Sequence, residues 1–393
     1  MFALDRDTGK LRWSKIFFAR NDGPNGLAVA DGRVYGATDS DAFALDASTG
    51  RELWTRHLTA PTEQFVDIPP VPWEGYVFVS TIGYPRGGRG AVYGLEASTG
   101  KVRWRFETIK EPWRYPLEAG GGGLWYPVSV DGDGRLYGGN SNPAPWGGTP
   151  EHPNGGSYPG PVLYTDSLLV LDARTGRLLW HDQVTPHDIR DYDFEATPVL
   201  VERDGKKLVI GAGKAGHVIA RDRDERKRLW DVAVGLHLND VGPLTRTKQT
   251  VCPGLFGGVE TPLASADGRV FVPVVDVCVR GNSVGSLPVN EVDPKRGAGR
   301  LVALDASTGA RLWEKRFPSV NFGCAATENG VVFTSTYDGT VYALATEDGE
   351  TLWRGKMRAG INGCPALAGD LLFVGAGVRL GRASVPELVA YGP

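Results

Sequence analysis

The segment ALDASTGARLW, residues 303–313, belongs to a set of seven similar segments that decide the fold. The other six end at Trp13, Trp54, Trp104, Trp180, Trp230 and Trp353. Each has an apolar run, an Asp-x-x-Thr-Gly turn or a variant of it, and a second run closed by Trp. This pattern predicts a β-hairpin, because Asp and Thr side chains bond to the turn backbone and Gly accepts a positive φ. The regular recurrence predicts a repeat architecture.

A second hairpin precedes each copy. It is marked by β-branched and aromatic runs such as RVYGAT (33–38) and RVFVPV (269–274). Two hairpins give four short strands per repeat, and a four-stranded sheet cannot bury both faces alone, so neighbouring sheets must stack with one Trp wedged between them. We therefore predict an all-β propeller of four-stranded blades, with about seven blades' worth of sequence.

Composition agrees with one large β domain over residues 1–393. The 54 Gly and 27 Pro disfavour long helices. The net charge of -3 gives no footprint for nucleic acid or an anionic membrane. No apolar stretch reaches the roughly 18 residues needed for a transmembrane segment, and no signal peptide is visible at the N-terminus.

Two long gaps between the repeats predict insertions at about 143–165 and 238–258, where loops can carry function. The chain begins in mid-blade, and its last repeat ends at LVAYGP (388–393) without a turn and Trp. Two interpretations follow: the N-terminal strand completes the last blade of a seven-bladed ring, or an eighth blade is partly absent.

The four cysteines show no Cys-x-x-Cys spacing, so no zinc or thioredoxin-like motif is indicated and their redox state is open. NFGCAAT (321–327) and INGCPAL (361–367) occupy the same position in consecutive repeats. We therefore expect Cys324 and Cys364 to lie near each other in adjacent blades, whether or not they are bonded.

The repeat resembles that of the eight-bladed pyrroloquinoline quinone (PQQ) dependent alcohol dehydrogenases. Three segments outside the repeat are similar to active-site segments of that family and follow the same order: AGGGGLWYPVSVDGDGRLYGGNSNPAPW (119–146), TPHDIRDYDFEATPVL (185–200) and GAGKAGHVIARDR (211–223). The resemblance implies a PQQ cofactor with Ca²⁺ or a lanthanide ion.

The resemblance also implies a role for particular residues. Trp125 would be the floor under the quinone, and Lys214 would donate to a quinone carbonyl. Asp191 would be the catalytic base and, with Asn142, a metal ligand. Asp193 lies where lanthanide-using members carry an additional carboxylate. Arg89 and Glu260 are further candidates for cofactor contact, and we expect Trp125, Asn142, Asp191 and Lys214 to converge at one end of the channel.

The chain departs from the family pattern at four places. One is residues 257–261, which read Gly-Gly-Val-Glu-Thr where the family has Gly-Gly-x-Asn-Trp. Pro85 stands where the family has a metal-binding glutamate, and Glu195 or Glu260 could replace that ligand. The family's adjacent-cysteine disulfide is absent. Arg190 replaces the usual Trp before the aspartate and is expected to add a cation at the channel mouth. Without the resemblance, Asp188, Asp191 and Asp193 could equally form a solvated turn.

Two functions follow as hypotheses. The first is PQQ-dependent, metal-assisted oxidation of an alcohol or sugar in the periplasm, the compartment that the resemblance implies. Its electrons would pass to an external acceptor, because the sequence contains no Cys-x-x-Cys-His haem motif. The alternative is a noncatalytic propeller that binds proteins through its faces.

Overall fold

The computed structural model describes residues 1–20, 26–59, 64–66, 68–83, 88–110, 120–158, 160–284, 286–288 and 291–392. The predicted all-β class is confirmed: the described residues form 32 strands and one short 3-10 helix, Pro294–Arg296. The chain forms two compact units. The first contains Met1–Pro145 and Ser157–His187, and the second contains Trp146–Gly156 and Asp188–Pro393.

The first unit has three antiparallel blades and an N-terminal hairpin. The hairpin consists of β1 (Phe2–Leu4) and β2 (Leu11–Ser14). The first blade contains β3 (Ala28–Ala30), β4 (Arg33–Ala37), β5 (Asp41–Asp46) and β6 (Glu52–His57). The second contains β7 (Gln64–Val66), β8 (Val71–Trp73), β9 (Tyr76–Gly83), β10 (Ala91–Glu96) and β11 (Val102–Glu107), with β7 and β8 both paired to β9. The third contains β12 (Ser129–Val130), β13 (Arg135–Gly139), β14 (Ser167–Asp172) and β15 (Leu178–Gln183).

The second unit has four blades and a small extra sheet. Its first blade contains β16 (Val199–Arg203), β17 (Lys206–Ala212), β18 (His217–Asp222) and β19 (Arg228–Ala233). The extra sheet pairs β20 (Gln249–Val251) with β23 (Val279–Gly281). The next blades contain β21 (Ala264–Ala266), β22 (Arg269–Asp276), β24 (Ala298–Asp305) and β25 (Arg311–Phe317), then β26 (Ala326–Glu328), β27 (Val331–Ser335), β28 (Thr340–Ala345) and β29 (Thr351–Lys356). The last has three described strands, β30 (Ala366–Ala368), β31 (Leu371–Ala376) and β32 (Glu387–Tyr391).

The repeat turn has the predicted hydrogen bonds. In the turn after β24, Asp305 Oδ1 accepts from the backbone N–H of Thr308 at 2.9 Å and from its hydroxyl at 2.9 Å. Gly309 follows with a φ of 73°, a left-handed conformation that favours glycine. The fifth repeat keeps this conformation with Arg226, whose φ is 59°, in place of Gly.

The repeated Trp joins neighbouring sheets, as predicted. Trp313 on β25 donates its indole N–H to the carbonyl oxygen of Thr346 in the next blade at 3.1 Å. A Cβ placed on Gly349 of that next turn would lie 2.7 Å from Trp313 Cε3. The turn glycine therefore has a second role that the sequence did not suggest, because it lets the indole pack directly on the turn backbone. The same joint recurs within each unit at Trp13, Trp54, Trp104 and Trp230.

The last Trp of the repeat series is different. Trp353 on β29 is 40 % exposed and contacts the Tyr391 ring edge-on at 4.9 Å. A cavity of about 500 Å³ lies beside it, lined by apolar side chains that include Phe333, Leu367 and Leu372. Trp353 can therefore be compared with Trp313, whose indole is hydrogen-bonded to the next blade.

Two disulfides occur in the second unit. Cys324 and Cys364 are bonded with a Cα–Cα distance of 4.9 Å, which confirms that they lie near each other. The second disulfide joins Cys252 to Cys278, so it ties the end of β20 to the residue before β23. No described helix is long and apolar enough to cross a bilayer.

Candidate functional site

Lys214 lies between two aspartates in the second unit. Its Nζ donates to Asp191 Oδ2 at 3.0 Å and is 2.7 Å from Asp193 Oδ2. The lysine side chain is 8 % exposed, Asp191 is 18 % exposed and Asp193 is 1 % exposed. These three candidate residues therefore form one largely dehydrated cluster of charges.

Glycines bring the Lys214 backbone into this position. A Cβ on Gly213 would lie 2.0 Å from the Asp193 carbonyl oxygen, and one on Gly258 would lie 2.2 Å from the Lys214 carbonyl oxygen. The Lys214 N–H also donates to the Asp193 carbonyl at 3.0 Å. Side chains at 213 or 258 would push these chain segments apart, so the glycines fix the approach of Lys214 to the aspartates.

Asp188 organises the segment that carries the two aspartates. It is 1 % exposed, and its carboxylate accepts from the backbone N–H of Arg190 at 2.8 Å and of Tyr192 at 2.7 Å. The interpretation of Asp188, Asp191 and Asp193 as a solvated turn is therefore wrong, because the cluster is buried and its carboxylates bind groups of the protein.

Burial shifts the proton affinity of these groups. It raises the pKa of Asp191 to about 7, although the Lys214 ammonium opposes the shift. Burial likewise raises the pKa of Asp188 to about 6. For Lys214 burial lowers the pKa, but the surrounding carboxylates outweigh it and hold the pKa well above the usual range. At neutral pH a carboxyl able to take up a proton therefore lies beside a firmly charged ammonium.

Two further carboxyls lie near Lys214. Glu195 and Glu260 are 3 % and 9 % exposed, and each carboxyl is close enough to Lys214 and to the other carboxyl for their charges to interact. Burial raises the pKa of Glu195 well above its ordinary value and that of Glu260 to about 8. Within the described structure, one oxygen of each carboxyl, Oε1, is buried without a hydrogen-bond partner.

The remaining candidate residues lie in the first unit. Asn142 is 8 % exposed, and its backbone carbonyl oxygen accepts from the backbone N–H of Gly122 at 2.9 Å. The Trp125 ring lies 5.9 Å from that of Phe65, and Arg89 forms a backbone bridge with Gly121. Pro85 lies outside the described residues. The convergence of Trp125 and Asn142 with the lysine cluster stays a prediction.

The donor chemistry around Lys214 fits a hard cation. Asp191, Asp193, Glu195 and Glu260 offer four carboxyls, whose combined charge when ionised exceeds that of one ammonium, and the two unsatisfied glutamate oxygens are ligands of the kind that such cations take. In the arrangement described, Lys214 occupies the space between the aspartates, and the described His, Cys, Asp and Glu side chains form no metal-binding group of three. A cation would therefore have to displace the ammonium from at least one carboxylate.

The sequence-based expectation for Arg190 was wrong. Its side chain is not a cation at a channel mouth: Arg190 is 4 % exposed, and its guanidinium donates to backbone carbonyls of residues 239–242. Sequence reasoning also missed Tyr192, whose hydroxyl donates to the Pro253 carbonyl at 2.9 Å. Nothing in the residue types over 188–193 indicated these partners.

Two family models match this chain. The model described as "Glucose/ethanol/alcohol dehydrogenase, beta-propeller domain" matches residues 69–236. The model described as "Outer membrane protein assembly factor BamB" matches residues 1–114 and 295–384. The first match contains all three segments that carry Trp125, Asn142, Asp191 and Lys214. The fold is thus a β-propeller, and residues 69–236 are similar to the propeller domain of the dehydrogenases.

Two dehydrogenases are similar to this chain over most of its length. The quinohemoprotein alcohol dehydrogenase ADH IIB of Pseudomonas putida is 28% identical over 86% of this chain and 57% of its own length. The lanthanide-dependent methanol dehydrogenase of Methylacidiphilum fumariolicum (strain SolV) is 28% identical over 86% of this chain and 66% of its own length. Over most of its length the chain is therefore similar to PQQ-dependent alcohol dehydrogenases. It spans little more than half the length of the first of these relatives.

A solved structure supports the fold. The quinohemoprotein alcohol dehydrogenase from Comamonas testosteroni superposes with a TM-score of 0.83 at 23% identity, covering 99% of this chain and 70% of that one. At this identity the similarity establishes the β-propeller fold and leaves the chemistry to be argued from the residues.

Proposed function

We propose that this chain forms the PQQ-binding propeller of a metal-assisted dehydrogenase that oxidises an alcohol or a sugar. The observation that carries the proposal is the buried contact of Lys214 with Asp191 and Asp193. Similarity to alcohol dehydrogenases supports PQQ-linked alcohol oxidation. The sugar alternative and the identity of the metal are hypotheses.

Asp191 is proposed to be the general base. Its pKa of about 7 lets the carboxylate accept the hydroxyl proton of the substrate near neutral pH, where a base is most effective. Lys214 holds the Asp191 carboxylate in place through its 3.0 Å hydrogen bond and keeps a positive charge in the site. When bound, PQQ would supply the electron-accepting carbonyl, and the metal ion would supply Lewis acidity.

The remaining residues are assigned by the groups they could hold. Trp125 would stack on the cofactor, with Lys214, Arg89 and Glu260 as polar contacts. Metal ligands would be Asn142, Asp191 and Asp193, with Glu195 or Glu260 replacing the ligand lost at Pro85. The buried, unsatisfied Oε1 atoms of the two glutamates favour this replacement.

An external electron acceptor and an extracytoplasmic location complete the proposal. The acceptor would lie outside residues 1–393. The two disulfides agree with an oxidising compartment, where such bonds persist.

A ligand titration tests the proposal directly. Purified protein is titrated with PQQ in the presence of Ca²⁺ or La³⁺, and absorbance and thermal unfolding are recorded. Ligands that bind only the folded state must raise its melting temperature. Dye-linked oxidation is then measured on a panel of alcohols and sugars. The proposal fails if PQQ neither binds nor supports oxidation with any metal.

A second candidate function is a noncatalytic scaffold that binds proteins. Its support is the match of residues 1–114 and 295–384 to the assembly-factor model. The same titration discriminates the two functions, because a scaffold has no reason to bind PQQ or to depend on Asp191.

A further inference from the structure

Side chains of the segment 188–193 contact two different parts of the second unit. The odd-numbered aspartates, Asp191 and Asp193, contact Lys214. Arg190 and Tyr192 contact the second insertion, residues 238–258, instead. The insertion therefore contacts Arg190 and Tyr192 of this segment, while the carboxylates of Asp191 and Asp193 contact Lys214.

Arg190 makes four hydrogen bonds to the insertion. Its Nε and Nη2 donate to the Asn239 carbonyl at 3.2 and 3.1 Å, and Nη2 lies 3.2 Å from the Val241 carbonyl and 2.7 Å from the Gly242 carbonyl. All acceptors are backbone oxygens of one short loop. A planar guanidinium satisfies such a fan of acceptors better than an ammonium, because its donors are fixed in one plane.

Tyr192 and Ile189 also contact the insertion. The Tyr192 hydroxyl reaches the carbonyl of Pro253, which follows the disulfide-bonded Cys252. Ile189 is buried in an apolar cluster with insertion residues Leu244 and Val251. Trp146, from the first insertion, packs against the same cluster. The insertion is thus a packed and cross-linked body rather than a loose loop.

The backbone conformation of Asp191, between these contacts, is unfavourable. Asp191 has a φ of 68°, in the left-handed region that non-glycine residues occupy at a cost. Such a conformation persists only where the surroundings fix it. Its immediate neighbours, Arg190 and Tyr192, are the residues that contact the insertion.

We propose that Arg190 is a positioning residue that couples the loop 239–242 to the base Asp191. It holds Asp191 in its left-handed conformation, so that the carboxylate faces Lys214 and the substrate. The inference deepens the proposed function and rests on it for the chemistry, but the coupling itself is a property of the protein alone.

The test compares Arg190→Met and Arg190→Lys with wild type by hydrogen exchange and by kinetics. In Arg190→Met the amides of 189–193 and 239–242 are expected to exchange about tenfold faster. The kcat for dye-linked oxidation is expected to fall on the order of a hundredfold, the effect of a base displaced by about 1 Å. KM for the alcohol should change little, because substrate binding is retained. Arg190→Lys should restore part of both effects.

Two controls separate positioning from general damage. Arg223→Met removes another buried arginine of the second unit, one that pairs with Glu202, and should leave exchange at 189–193 and kcat unchanged. Val241→Ser alters an exposed side chain of the same loop but keeps the backbone carbonyl, so it should also be silent. If Arg190→Met does not fold, Tyr192→Phe is used in its place. This variant removes only the hydrogen bond from Tyr192 to the Pro253 carbonyl.

The outcomes are distinct. Unchanged exchange at 189–193 in Arg190→Met overturns the coupling, and faster exchange with an unchanged kcat overturns the positioning role. If wild-type protein does not oxidise any substrate with PQQ and metal, the proposed function fails, while the exchange data still decide whether Arg190 couples the loop to Asp191.

Discussion

The Trp joints between blades and the segment Asp188–Asp193 both depend on a side chain that reaches a backbone carbonyl. At a joint the donor is the indole of a repeated residue, as in Trp313 with Thr346, and the acceptor lies in the turn of the next repeat. In the segment the donor is Arg190, and the acceptors lie in an insertion that occurs once. The joints recur in several blades and hold neighbouring sheets together. The single segment holds a strained base, so damage there should cost activity before stability.

The sharpest contrast is between Asp191 and Asp305, an aspartate of a repeat turn. Asp191→Asn should lower the kcat of PQQ-dependent oxidation about a hundredfold to ten-thousandfold, because the amide cannot accept the proton. The fold should be retained, since Asn tolerates a left-handed φ. Steady-state kinetics and circular dichroism measure the two effects.

Asp305→Asn is the control, because its carboxylate binds its own turn and lies 3.7 Å from Arg203 Nη1, with no contact to Lys214 among the described ion pairs. It should leave kcat unchanged. Full activity in Asp191→Asn would shift the balance to the scaffold function.

The next contrast lies within the repeat series. Trp313→Ala should cost about 3 to 5 kcal/mol of unfolding free energy, because it leaves a cavity between two blades. Trp353→Ala should cost about 1 to 2 kcal/mol, because this ring is 40 % exposed and buries less surface. Urea unfolding with a shared m-value would measure both. Equal losses would show that exposure does not distinguish the two joints.

A third contrast isolates the second role of the turn glycine. Gly349 and Gly330 have φ values of 75° and 77°, but a Cβ on Gly349 would meet Trp313, whereas one on Gly330 meets no described atom within 4 Å. Gly330→Ala should cost about 1 to 2 kcal/mol for the backbone alone. Gly349→Ala should cost more, since the indole must also move. Thermal unfolding of the two variants tests this, and a larger loss at Gly330 would contradict it.

The smallest effect is an acid titration of a turn. Hydrogen bonds from Ser48 and Thr49 lower the pKa of Asp46 to about 2. Because the pKa is lower in the folded state, the turn's contribution to stability is present above the unfolded pKa of about 3.9 and is lost as pH falls through about 2. Carboxyl NMR should report this titration, and Thr49→Val should raise the Asp46 pKa. A normal Asp46 pKa in wild type would mean that these bonds do not form in solution.

The sequence by itself determined the blades, the turns and the Trp joints. These contacts repeat at nearly fixed spacing, and the turn bonds lie within about five residues, so local chemistry and periodicity specify them. Family resemblance, in turn, selected Asp191, Asp193 and Lys214, which the structure brings together.

Only the tertiary structure decided the direction of Arg190, the partner of Tyr192, the Cys252–Cys278 disulfide and the Glu195–Glu260 pair. Arg190 meets its acceptors 49 to 52 residues away, and Tyr192 meets Pro253 61 residues away. No periodic pattern links such positions, because each belongs to an insertion or segment that occurs once. The side a long polar side chain faces is set by the packed body that offers it carbonyls or carboxyls, and that body exists only after the chain has folded.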